Sequence, residues 1–174
     1  MTVAANDIGF HFLYPSNVFV SGEPHSIQTI LGSCVAVCLY DTKLKIGGMN
    51  HFMMPFWNGE GLASPKYGNI SIEVLLENML EAGAHQKDCV AKVFGGAHQF
   101  NVNNSSLMVG DRNIDVSETM LKKYKIPIVA HSMGGTQGRK ILFNTFTGIV
   151  MMKFIVKPVK NSGKQNDVNP NRSK

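Results

Sequence analysis

Cysteine is scarce in this sequence: there are three, an odd number. Small secreted scaffolds rest on paired cysteines, so the count argues against a disulfide framework and for reduced thiols in the cytoplasm. Long apolar runs are missing too. Even the longest, Cys34 to Tyr40, is far too short to span a bilayer, as are runs such as Ile149 to Met152, which predicts no membrane insertion. The opening residues Met1 to Asp7 lack a basic segment followed by an apolar stretch, so no secretory signal is expected. There are no internal repeats and no G-x-G-x-x-G or Gly-Lys-Ser/Thr phosphate loop, which removes the usual nucleotide signatures. No C-x-x-C or H-x-x-x-H spacing joins Cys34, Cys38, Cys89, His51, His98 and His131, so no metal and no cofactor is expected.

Charge is sparse as well, at 17% of residues against 44% hydrophobic, the balance of a globular chain. Its length, 174 residues, suits one domain with a sizeable core. Four of the five net positive charges come from the end of the chain, where Lys157, Lys160, Lys164, Arg172 and Lys174 face only Asp167. A nucleic-acid binder carries its basic patch on the folded body, so no nucleic acid is expected. The sequence therefore predicts a single catalytic domain over residues 1–157 and a basic, disordered tail over 158–174.

Local patterns predict the elements. Residues 1–24 read as irregular, with short strands at Phe10 to Tyr14 and Val18 to Val20. Val35 to Tyr40 and Ile46 to Met54 read as a hairpin closed by the polar link Asp41 to Lys45. Phe56 to Lys66, with two glycines and Pro65 around Trp57, reads as a loop placed to cover a site. A helix is expected to start at Asn69 or Ser71, capped by one of them, and to stop at Gly83. Cys89 to Phe94 reads as a buried strand, and Asp111 to Tyr124 as a helix with Ser117 and Glu118 outward. A strand over Ile126 to Ala130, with Pro127 suiting an edge, and a hairpin turning at Thr147-Gly148 complete the chain. The expected fold is α/β: one layered domain of mixed, largely antiparallel sheet covered by two main helices.

Chemistry concentrates at one hairpin. With its turn centred between Thr42 and Lys43, Cys34 lies opposite His51, and directly opposed residues share a face. A thiol and an imidazole placed so form a nucleophile–base pair, and a neighbouring imidazolium would draw the thiol toward thiolate. Gly32-Ser33 leaves room for a substrate amide, and the backbone N–H groups of Ser33 and Cys34 are candidate oxyanion donors. Thr29 is the candidate to orient the imidazole. On residues alone, a core cysteine beside a satisfied histidine explains the same pattern equally well. Cys38 and Cys89 read as core residues, and the pairs Gly47-Gly48, Gly95-Gly96 and Gly134-Gly135 either as tight turns or as places of close backbone approach.

The blocks Leu31-Gly32-Ser33-Cys34-Val35-Ala36-Val37 and Gly48-Met49-Asn50-His51-Phe52-Met53-Met54-Pro55, at this separation, resemble the chemoreceptor glutamine deamidase family CheD. The likeness continues through Lys92 to Ala97 with Phe100, Gly110-Asp111-Arg112-Asn113, Gly134-Gly135 and Gly138-Arg139. The resemblance implies a layered fold related to cysteine-dependent deamidating toxins. It also implies conversion of particular glutamines to glutamate on the cytoplasmic helices of methyl-accepting chemotaxis receptors. Cys34 then matches the family's nucleophile, His51 its base, and Thr29 the threonine upstream of G-S-C. The CheC phosphatase is an implied partner. Two other classes remain open at this point: a non-catalytic module that docks receptors or CheC, and a peptidase or transglutaminase-like enzyme using the same thioester.

Overall fold

A computed structural model describes residues 8–98 and 105–156; the expected tail at 158–174 and Phe100 lie outside the described residues. Two sheets are stacked, with two helices on one side only. The outer sheet has the order β1-β3-β8-β9, from β1 (Gly9–Phe12), β3 (His25–Leu31), β8 (Arg139–Asn144) and β9 (Val150–Phe154). The inner sheet has the order β2-β5-β4-β6-β7, from β2 (Val18–Ser21), β4 (Val35–Asp41), β5 (Ile46–Asn50), β6 (Cys89–Gly95) and β7 (Ile128–Met133). Pairing is antiparallel except between β1 and β3 and between β6 and β7, so the mixed, largely antiparallel layered fold is as expected.

The helices α1 (Gly68–Glu81) and α2 (Ser105–Lys123) cover the inner sheet, packing on β2, β4, β5 and β6. Every residue of β4 is buried because this strand has the helices on one face and the outer sheet on the other. Val35, Val37 and Leu39 join Phe52, Leu75, Met79 and Leu121 in the helix-side core. Ala36, Cys38 and Tyr40 point the other way, toward Leu13, Ile27, Leu31, Ile141 and Phe143 between the sheets.

Several expectations shift. The hairpin turn is centred one position later than expected, because the Asp41 carboxylate accepts the N–H groups of Lys43 and Leu44. Asp41 consequently pairs with Ile46, Cys38 with Met49 and, as an isolated bridge, Val35 with Phe52. By that count Ala36, not Cys34, lies across from His51. The slip is two residues, an even number, so Cys34 and His51 keep a common face as diagonal neighbours.

His25–Leu31, left unassigned by the sequence patterns, is an interior strand of the outer sheet. Neither expected residue caps α1: its N-cap is Tyr67, without a side-chain bond, and Asn69 instead accepts the N–H of Trp57. The helix does stop where expected, with Gly83 donating to Leu80 and Ala84 to Met79 in a Schellman pattern. Helix α2 begins six residues earlier than its periodicity suggests. Gly110 sits inside it because a side chain there would press on the Gly96 carbonyl oxygen, 2.8 Å away. Ser117, expected outward, is buried, its hydroxyl returned to the Asn113 carbonyl at 2.8 Å.

Candidate active site

The chain crosses from the outer to the inner sheet between Leu31 and Val35, and Cys34 sits half-buried on that crossing. Its three carbonyls are anchored to the body of the protein. The Gly32 oxygen accepts from Ala97 N–H at 2.8 Å, and the Cys34 oxygen from Gly96 N–H at 2.9 Å. The Ser33 oxygen accepts from Asn113 Nδ2 at 3.0 Å. Gly95 and Gly134 are braced in turn by Arg139, whose guanidinium donates to both carbonyls at 2.7 Å. Neither the Ser33 nor the Cys34 N–H donates to another described residue.

His51 follows β5 and is buried. Its main chain is held on the outer side of the hairpin, where its oxygen accepts from Ser16 at 2.7 Å and its N–H donates to Asn17 at 3.1 Å. On the other side, Val37 N–H is taken by the Asn50 side-chain oxygen at 2.7 Å, where regular β4–β5 pairing has stopped. The ring therefore projects between the two sheets, and there it meets Thr29 of β3.

Thr29 Oγ1 lies 2.8 Å from His51 Nδ1 and 2.8 Å from the Leu13 carbonyl oxygen. A hydroxyl has one proton to give, and the Leu13 carbonyl can only accept. Thr29 therefore donates to Leu13 and accepts from His51, which puts the imidazole proton on Nδ1. The other ring nitrogen, Nε2, is left as a bare acceptor; it is buried and has no hydrogen-bond partner. His51 thus presents a bare ring nitrogen between the sheets, where Cys34 also packs, with no hydrogen bond between the two.

Burial pushes the His51 imidazole down to about 4, opposed by the neighbouring Leu13 carbonyl. Burial also pushes the Cys34 thiol up, against the smaller effect of its own N–H. Both shifts favour a neutral thiol beside a neutral imidazole at pH 7. They run against the thiolate–imidazolium pair expected from the sequence.

The remaining candidates stay apart from this centre. Cys38 and Cys89 are buried, and burial raises both thiols, Cys89 to about 11. His98 faces Asp111 at 3.3 Å, and His131 lies on edge strand β7. Among the described residues no group of three or more His, Cys, Asp and Glu stands together to hold a metal. A cavity of about 200 Å³ opens beside Gly32, between Ile30, Ala97 and His98. The loop after His51 exposes Met53, Met54 and Phe56, and it closes on itself through Met53 and Met54 N–H to the Lys66 carbonyl, both at 3.0 Å. Asn113 went without a role in the sequence, although it stands in the quoted Gly-Asp-Arg-Asn block. Only the fold shows that its amide reaches Ser33.

Comparison with known proteins agrees with the motifs. The family model described as CheD chemotactic sensory transduction matches residues 53–154. A probable chemoreceptor glutamine deamidase CheD of Sulfurimonas denitrificans is 50% identical over 147 residues, covering 84% of this chain and 94% of that protein. The protein of the same name from Trichlorobacter lovleyi is 51% identical over 142 residues, 82% of this chain and 88% of its own. A third, from Methanococcus vannielii, is 39% identical over 138 residues, 79% of this chain and 90% of its own.

Proposed function

The chain belongs to the CheD family, and from that premise we propose that it is a protein-glutamine deamidase that converts glutamines of chemotaxis receptors to glutamate. The observation that carries the reading to particular atoms is the Thr29–His51 bond, which leaves Nε2 bare between the sheets, where Cys34 also packs.

In the proposed reaction His51 Nε2 takes the Cys34 proton as the sulfur adds to the side-chain amide carbon of glutamine. The backbone N–H groups of Ser33 and Cys34 receive the oxyanion. As the tetrahedral species collapses, the C–N bond breaks and the imidazolium protonates the departing ammonia, leaving a thioester. Water then loses a proton to Nε2 and adds to the thioester, and the C–S bond breaks to release glutamate and the thiol. The balance is glutamine plus water to glutamate plus ammonium, the ammonia taking the proton that the new carboxyl group gives up, with no cofactor. Thr29 holds the imidazole in the tautomer that both steps use.

On this reading one catalytic unit, reaching to residue 157, works in the cytoplasm on receptor helices. In support, no helix among the described residues is long and apolar enough to cross a membrane. Binding of the CheC phosphatase rests on the family resemblance alone, and co-elution with purified CheC tests it. The function itself is tested by mass spectrometry of receptor cytoplasmic peptides after incubation with wild type and with Cys34→Ala. A Gln-to-Glu mass shift with wild type only is expected. A shift with both proteins removes Cys34 as nucleophile, and a shift with neither, across several receptors from the same cell, favours the docking-module reading.

A further inference from the structure

We infer that Asn113 is a positioning residue of this reaction: by holding the Ser33 carbonyl it turns the Cys34 N–H outward as an oxyanion donor. The inference rests on the deamidase reading and adds to it a residue on α2, on the far side of the inner sheet from Thr29.

Asn113 is fully buried, and its Nδ2 donates to the Ser33 and the Met53 carbonyl oxygens, each at 3.0 Å. Both partners are acceptors, so the amide has one orientation: nitrogen toward the two loops. Its own Oδ1 is left buried without a partner. An unpaired buried carbonyl is unfavourable, which makes this residue a poor choice for packing alone.

The consequence follows from peptide geometry. The Ser33 carbonyl and the Cys34 N–H belong to one planar unit, there are no cis peptide bonds among the described residues, and in a trans peptide the two groups point in opposite directions. Drawing the Ser33 oxygen toward α2 sends the Cys34 N–H to the other side of the inner sheet, where His51 and Thr29 meet. Ala97, by holding the Gly32 oxygen at 2.8 Å, does the same for the Ser33 N–H. Asn113 also ties Met53, two residues past His51, so its amide acts as one further rung beyond the Val35–Phe52 bridge. The donors are thereby fixed before substrate arrives, which is what makes an oxyanion site effective.

The test compares full-length wild type, Asn113→Ala and the milder Asn113→Ser. Three quantities are measured: deamidation of a receptor peptide, iodoacetamide alkylation of Cys34 from pH 6 to 10, and thermal unfolding. Alkylation passes through no oxyanion, so it separates the donor from the nucleophile. The expected result is a kcat lower by about 100-fold to 1000-fold, the range for losing one oxyanion donor, with KM and the alkylation pH profile as in wild type. Activity retained in the variants overturns the inference. So does an alkylation profile that moves together with the loss of activity, because Asn113 then acts on the thiol and imidazole or on the fold. If Ala at this position does not fold, Ser carries the comparison. A wild type that deamidates nothing refutes the functional reading instead, and is distinguishable on that ground.

Discussion

Replacing Thr29 by valine removes one hydroxyl from a buried site while keeping its shape, and it isolates the role of the imidazole tautomer. Two bonds of 2.8 Å disappear, one from His51 Nδ1 and one to the Leu13 carbonyl. Both freed groups are buried, but they are neighbours, since the Leu13 carbonyl is close enough to His51 to raise its pKa. The ring N–H can turn to that carbonyl and recover part of the interaction. The loss on the barrier is then about 1–2 kcal/mol, a typical net hydrogen bond, which corresponds to roughly 5-fold to 30-fold in rate. Stability should fall by about 1–3 kcal/mol, the cost of groups left unsatisfied. Timed mass spectrometry of a receptor peptide gives the rate, urea unfolding gives the stability, and nitrogen NMR of the imidazole reports which ring nitrogen carries the proton. Thr29→Ser, which keeps the hydroxyl, should recover most of the activity. A valine variant at the wild-type rate would refute the tautomer argument, and so would a resting imidazole protonated on Nε2.

Cys34→Ala should abolish deamidation yet shift the urea midpoint little, because a half-buried thiol contributes about 1 kcal/mol or less. His51 makes stability pH-dependent with a definite sign. Its folded pKa of about 4 lies below the ordinary 6.5, so as pH falls the unfolded chain takes up the proton first. The contribution is complete above pH 6.5 and is lost between about 6.5 and 4, amounting to about 3 kcal/mol, and urea titrations of His51→Gln should lack that limb. Gly95→Ala places a Cβ against the Cys34 carbonyl oxygen at a φ of +118°, and thermal unfolding should show a loss of about 2–4 kcal/mol, with deamidation reduced in whatever folds.

How far the sequence speaks depends on whether a residue's neighbours are near in the chain. The β4–β5 and β8–β9 hairpins, the stop of α1 at Gly83 and the buried strand β6 are local patterns, and each was legible to within a few residues. The shared face of Cys34 and His51 was legible too, although the register was off by two, because the Asp41 carboxylate sets the turn and periodicity alone does not report it. The strand His25–Leu31 was missed. Its alternation is masked by Thr29, a polar residue buried between the sheets with Ile27 and Leu31, and by Ile30, an apolar residue that is exposed. Helix α2 was read short because Gly110 looks like a boundary, when it marks a close approach to Gly96 that only the tertiary fold creates. Asn113 was illegible for the same reason: its partners Ser33 and Met53 lie 80 and 60 residues away.

The same distances explain how the site is controlled. Thr29 comes from the outer sheet, Cys34 and His51 flank a hairpin of the inner sheet, and the amide of Asn113 reaches them from a helix. Each layer supplies one condition: the outer sheet sets the ring tautomer, the inner sheet places sulfur and imidazole on one face, and α2 sets the peptide plane. None of these groups is charged at rest, since burial depresses the imidazole and raises the thiol. A neutral pair holds little reactivity toward chance electrophiles, and it needs the substrate amide in place before proton transfer and attack can proceed together. In the proposed mechanism the thiolate forms only where an oxyanion forms, so an amide that cannot reach the Ser33 and Cys34 N–H groups should not be attacked, however close it comes to the sulfur.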